Sequence, residues 1–210
     1  MRQFRIPYLI LSSCLLFVLS CSPAYKQMQL ANADPAVLQK FKPAFTVALY
    51  NTTVDVVGNH FSGLLLIKKM PDSSTRMVFS NEMGFSFFDF EFKPDGDFKV
   101  YSIMKKLNKK SVIKTLQHDF ELILMNNLGN SQAVVKTSEG LTYFIFPQSK
   151  GYNYYITNQS GDELVRLERA SSKKTIVEAV MKNYLNGVPD TISISHKTFE
   201  FNIGLKRIER

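Results

Sequence analysis

Tryptophan is absent from this 210-residue chain, cysteine occurs twice and histidine three times. So small a supply of thiol and imidazole excludes a disulfide scaffold and a cysteine-rich zinc module. Glycine (10) and proline (8) are at ordinary levels, which excludes a collagen-like chain. Acid is in short supply, with 18 Asp and Glu against 26 Lys and Arg, a formal charge of +8. The histidines, His60, His118 and His196, are isolated from one another, and neither a His-Glu-x-x-His nor a Gly-x-Ser-x-Gly motif is present. Asp95 and Asp97 flank Gly96 in what reads as a turn, since an EF-hand loop needs more carboxylates at fixed spacing. No metal, no cofactor and no catalytic residue is therefore expected. Apolar residues, by contrast, are plentiful. The chain is 45% hydrophobic, with 17 Phe, 9 Tyr and 8 Met, enough for one folded domain.

Residues 1–20 have the parts of an export signal: Arg2 and Arg5, an apolar stretch from Ile6 to Leu19, then Leu19-Ser20-Cys21. An apolar run of roughly 14 residues falls short of the ~20 needed to span a bilayer. A plain secretory cleavage site wants small residues at −3 and −1, whereas Val18 and Leu19 precede Ser20. Leu-Ser-Cys instead resembles the bacterial lipobox, which implies that Cys21 is lipidated and becomes the mature N-terminus. The competing reading is an uncleaved anchor, or an ordinary signal with an incidental cysteine. Each buried methylene is worth about 0.8 kcal/mol and a single acyl chain holds weakly; the resembled lipoproteins carry two or three. Cys14 leaves with the signal, so no disulfide and no thiol nucleophile remain. Loss of Arg2 and Arg5 lowers the charge by two. Ser22 follows the cysteine and no acid appears before Asp34, which resembles the outer-membrane default; the expected location is the outer membrane, facing the periplasm. Nucleic acid is not an expected partner of an exported lipoprotein.

Residues 22–35 read as a tether, and Ala36 to Phe41 as a short helix before Pro43. Beyond Phe45, period-two patterning dominates. Phe45, Val47 and Leu49 alternate with Thr46 and Ala48. Phe88, Phe90 and Phe92 share one face of a strand, and turn signals at Pro71-Asp72, Asn81–Gly84, Pro94–Asp97, Glu139-Gly140 and Ser160-Gly161 cut the chain into short strands. The connections are too short for parallel crossovers, so the pattern is an antiparallel meander. One segment differs: Val112, Leu116, Phe120 and Ile123 recur at helical spacing, predicting an amphipathic helix over 109–126, capped by Asn108 or Ser111 and ended by Gly129. Residues 175–185 fit either helix or strand, and the neighbouring strands and Asn186-Gly187 favour a hairpin strand. A last strand alternates Phe199, Phe201, Ile203 and Leu205 with polar residues.

The stretch from Phe61-Ser62-Gly63-Leu64 to His118-Asp119-Phe120, with Gly84-Phe85 and Phe88-Asp89-Phe90 between, resembles the LolA/LolB lipoprotein carrier and receptor superfamily, over about residues 44–208. The resemblance implies a mainly β (α+β) fold: an incomplete antiparallel β-barrel, or half-barrel, with an amphipathic helix covering an apolar cavity. The domain reading is signal peptide 1–20, lipidated N-terminus and tether 21–43, and half-barrel 44–210. The function implied is that of a lipid-anchored, LolB-like periplasmic protein that accepts acyl chains or lipoproteins and assists their outer-membrane localisation, with a LolA-like carrier as partner and no enzymatic step. Candidate cavity residues are Phe88, Phe90, Phe92, Phe144, Phe146, Phe199, Phe201 and Ile203. Phe and Met suit such a pocket because they adapt to flexible chains, yet each aromatic could equally fill a core. Val112, Leu116, Phe120 and Ile123 form the candidate lid. Met83 is the positional analogue of the apolar loop residue that meets the membrane in the resembled LolB proteins. Lys99, Lys105, Lys106, Lys109, Lys110 and Lys114 form an acid-free run, readable as a solvated face or as a contact for anionic headgroups or an acidic partner. A monomer is expected. The alternative function is a structural or accessory lipoprotein whose filled body docks onto an envelope complex.

Overall fold

The computed structural model describes residues 25, 28–129, 133–171 and 173–208. The expected signal peptide and the expected lipidation site, Cys21, lie outside them. Thirteen strands form one antiparallel sheet: β1 (Gln29–Leu30), β2 (Val47–Val56), β3 (Asn59–Lys69), β4 (Thr75–Ser80), β5 (Ser86–Phe92), β6 (Phe98–Ile103), β7 (Val134–Ser138), β8 (Leu141–Pro147), β9 (Tyr152–Asn158), β10 (Leu164–Ala170), β11 (Thr175–Leu185), β12 (Val188–His196) and β13 (Phe201–Arg207). The spatial order is β1-β7-β8-β9-β10-β11-β12-β13-β2-β3-β4-β5-β6. Two meanders are thus joined where the last strand, β13, pairs with β2, Ile203 opposite Val54. The end strands β1 and β6 do not pair with each other, so the sheet stays open. The helix α1 (Lys110–Leu124) connects the two meanders.

Alternation decides which face is inside. In β2, Ala48, Tyr50, Thr52 and Val54 are buried, while Val47, Asn51 and Thr53 are exposed. The ambiguous stretch 175–185 is a strand, with Val177, Ala179 and Met181 buried on the inner face. β3 extends well beyond the apolar run Leu64–Ile67 at its centre. It begins at Asn59 after a two-residue turn in which Val57 (φ 43°) and Gly58 (φ 72°) both take left-handed backbone, as the tight hairpin turn matching strand twist requires. A β-branched residue is costly there, and its polar neighbours hid the strand. Within β3, Gly63 is needed for space: a Cβ would stand 2.1 Å from the Ser80 carbonyl oxygen, where the chain leaves β4 and folds back over β3. A bulge at the same place, with Phe79 opposite Phe88 and Ser80 opposite Ser86, leaves Phe87 as the extra residue.

The helix differs from expectation at both ends. Its N-cap is Lys109, which makes no side-chain capping bond, so neither Asn108 nor Ser111 caps it. It stops at Met125, in left-handed backbone at φ 50°, with the N–H of Met125 donating to the Leu122 carbonyl, well before Gly129. The tether also needs correction. Of residues 21–43, Gln29-Leu30 pair with β7, a 3-10 helix spans Pro35–Phe41, and Leu38 in it is fully buried. Tyr184 Oη donates to the Phe41 carbonyl at 2.9 Å, and the Ala44 N–H to that of Gly187. A polar composition concealed this because few apolar side chains are needed to hold a segment whose backbone bonds are already met.

Candidate functional site

The inner face of β5 supplies the aromatic part of the site. Phe88, Phe90 and Phe92 project towards α1, and Phe120 of the helix lies 5.7 Å from Phe88 and 6.2 Å from Phe92 between ring centroids. Phe88 stacks on Phe90 at 4.4 Å, and the bulged Phe87 lies 4.7 Å from Phe79. Phe87 in turn touches Phe61 at 5.4 Å and the half-exposed Phe85 at 5.9 Å. A continuous row of rings therefore runs from the surface at Phe85 to the underside of the helix. Such edge-to-face and offset contacts are each worth about 0.5–1.5 kcal/mol beyond burial.

The candidate residues fall into two groups. Phe88, Phe90, Phe92, Phe144, Phe146, Phe201 and Ile203 all belong to the main core, none more than 3% exposed. Leu116, Phe120 and Ile123 of the lid are buried with them, and Val112 packs at the margin. Phe199 is not brought in. It precedes β13, is 44% exposed, and stacks on Phe201 and against His196. Met83, in the Asn81–Gly84 turn, is 93% exposed; Asn81 Oδ1 accepts from the N–H groups of Met83 and Phe85 and fixes that loop.

Where the row of rings nears the surface there is a groove of about 380 Å³ between the β2–β3 turn and the start of α1. Its floor is Val56, Phe61, Leu107 and Val112, and Lys105, Lys106 and Lys109 line its rim. The uncapped N–H groups of α1 and the absence of acid in its first turn add positive potential at the same spot. The acid-free lysine run marked this rim in the sequence. The floor was missed, because Val56 and Phe61 sit in a hairpin whose turn was not seen.

Behind the helix lies a buried charge cluster that the sequence reading passed over. Asp119, fully inaccessible, projects from α1 with its Oδ2 2.7 Å from His196 Nε2 of β12 and its Oδ1 3.4 Å from Arg169 Nη2 of β10. Burial lowers the pKa of Arg169 and the Asp119 charge raises it back in part. A signal existed: Asp119 falls on the helical stripe of Leu116, Phe120 and Ile123, where an acid must find a partner. The other two histidines have separate carboxylate neighbours, Asp55 for His60 at 2.6 Å and Glu121 for His118 at 3.0 Å. The three do not meet. Among the described residues no group of three His, Cys, Asp or Glu could hold a metal ion, and no helix is long and apolar enough to cross a membrane.

The molecule is in class an open antiparallel half-barrel whose apolar face is covered by one helix. Among solved structures it is similar to a LolA superfamily protein from Nitrosomonas europaea, at 10% identity and a TM-score of 0.50, covering 85% of this chain and 93% of that one. It is also similar to a domain named for outer membrane lipoprotein sorting from Vibrio parahaemolyticus (8% identity, TM-score 0.43, 83% and 90% covered). A DUF1329 family protein from Desulfovibrio piger is comparable (7%, 0.44, 84% and 92%). No protein-family model and no curated protein matches the sequence. The chain has the fold of the LolA superfamily.

Proposed function

We propose that this protein is a lipid-anchored binding protein of the outer membrane, facing the periplasm, that accepts the acyl chains of lipids or lipoproteins beneath α1 and assists lipoprotein localisation. The observation that carries this reading is the row of phenylalanines from Phe85 through Phe87, Phe79 and Phe88 to Phe120, reached through a groove with an apolar floor and a lysine rim. A hydrocarbon tail gains about 25 cal/mol per Å² on leaving water, and an anionic head is met by Lys105, Lys106 and Lys109. The core residues Phe88, Phe90, Phe92, Phe144, Phe146, Phe201 and Ile203 line the path when the helix lifts, and Val112, Leu116, Phe120 and Ile123 close it. Cys21 carries the anchor, Met83 touches the bilayer, and a LolA-like carrier delivers the cargo. No bond chemistry is involved.

A second reading is favoured by the tight packing of those same side chains: an accessory lipoprotein whose filled body docks onto an envelope complex. Titration of the full-length protein with a fluorescent fatty acid separates the two. Saturable uptake is expected, weakened by neutralising Lys105, Lys106 and Lys109 for the fatty acid but not for the uncharged alcohol of equal length. A folded protein that takes up neither probe leaves the accessory reading standing.

A further inference from the structure

The outer face of β8–β10 is apolar where an outer face should be polar. Tyr143, Ile145, Tyr154, Ile156 and Ala170 are buried there, and what covers them is the chain's own N-terminal segment, through Tyr25 and Met28. Tyr25 stacks on Tyr154 at 4.6 Å with the rings 14° apart. Its hydroxyl donates to Glu168 Oε2 and lies 2.6 Å from Thr175 Oγ1. Glu168 is itself buried and held by Arg166 Nε at 2.6 Å. Gln29 and Leu30 then pair with Thr137 and Lys136, and the Ala31 N–H donates to the Val135 carbonyl at 3.0 Å. The segment is a strap fixed at both its ends.

Tyr25 stands four residues after Cys21, a span of at most ~14 Å fully extended. The anchor point therefore lies close to where Tyr25 is pinned, whatever path the intervening residues take. Two basic turns flank that place. The 148–151 turn presents Lys150, and the turn ahead of Thr175 presents Lys173 and Lys174, all exposed. The turns adjoin: a Cβ at Gly151 would stand 2.2 Å from the Ala170 carbonyl oxygen, so only a glycine lets them close up. By contrast Asp72, Asp95, Asp97, Glu139, Asp162 and Glu163 occupy turns at the opposite ends of these and the other strands, where acids outnumber the lysines that meet them, Lys93 beside Asp97 and Lys40 beside Asp162.

We infer that the Tyr25 strap and the turns carrying Lys150, Lys173 and Lys174 form the face by which this body rests on an anionic phospholipid surface, the strap holding that face down. Resting on the lipidation of Cys21 proposed above, the inference replaces a body swinging on a loose tether with one of fixed orientation. Each lysine engaged by an anionic surface strengthens the contact by about fivefold, so a trio beside a covalent anchor suffices to set the orientation.

The experiment uses the full-length lipidated protein in vesicles of phosphatidylcholine with and without phosphatidylglycerol, read by hydrogen exchange. Exchange at 148–151 and 173–175 is expected to slow several-fold in the anionic vesicles, to recover in high salt, and to recover in the Lys173→Glu, Lys174→Glu double variant while fatty-acid uptake is unchanged. Tyr25→Ala is expected to abolish the protection and Tyr25→Phe, which keeps the stack, to retain part of it. Protection centred on the Asp95–Asp97 turn, or equal in both vesicles, overturns the inference. Mass spectrometry of Cys21 in the same sample reports separately on the anchor: an unmodified cysteine refutes the lipoprotein reading itself.

Discussion

Replacing Asp119 with alanine tests what holds α1 across the open sheet. The carboxylate is fully inaccessible, 2.7 Å from His196 and 3.4 Å from Arg169, whose side chain is 15% exposed. Removing it leaves both bases facing an empty site, and loss of one partner from a buried pair costs about 3–5 kcal/mol. At about 2–4 °C per kcal/mol for a chain of this size, Tm falls by roughly 6–20 °C. The damage is local at first: exchange in 110–124 rises before that in β2 and β3, because α1 touches the sheet chiefly through β10 and β11 on this side. Pairing Asp119→Leu with His196→Phe recovers part of the loss, since an apolar pair replaces a polar one and Arg169 keeps some contact with solvent. Urea denaturation and hydrogen exchange read all three proteins. A loss below about 1 kcal/mol in the alanine variant, within the range of an exposed ion pair, would refute the claim that this cluster fastens the helix.

Two further outcomes follow from single positions. Gly63→Ala drives a Cβ to 2.1 Å from the Ser80 oxygen and is expected to cost about 1–3 kcal/mol or more as an overpacked backbone contact; unchanged urea stability would show that the β4–β5 connection yields freely. Alkaline pH should loosen the strap. The Tyr154 phenol, ordinarily near 10, is pushed up to about 12 by burial, then by Tyr152 and Glu168, and Tyr25 moves in the same direction for the same first reason. A proton held more tightly when folded stabilises fully below pH 10 and progressively less as the pH rises through 12. Stability should therefore fall across that window, and less steeply in Tyr154→Phe; identical curves for the two proteins would contradict the assignment.

Much of the body was legible because periodicity is written residue by residue. Alternation placed Phe88, Phe90 and Phe92 on one face, and helical spacing placed Leu116, Phe120 and Ile123 on another. What escaped the sequence depended on partners far along the chain. The start of β3 was hidden because its turn uses Val57 in left-handed backbone, which residue preference argues against. Phe199 fits the alternation of β13, yet pairing with β2 begins only at Phe201, and the phenylalanine two residues earlier is left half outside. The lysine rim was visible as a charge run, but its apolar floor combines residues some fifty positions apart in sequence.

Local spacing and composition were enough to set the strand-rich body, the amphipathic helix, the inward faces and the basic rim. That β13 closes against β2, that Asp119 meets His196 and Arg169, and that Tyr25 is clamped on the outer face beside Glu168 emerges only once the chain is folded. The division has a physical basis. A period is the property of one segment, whereas a buried charge or a covered aromatic patch is stable only once a distant segment supplies its partner, and nothing in either segment alone names the other.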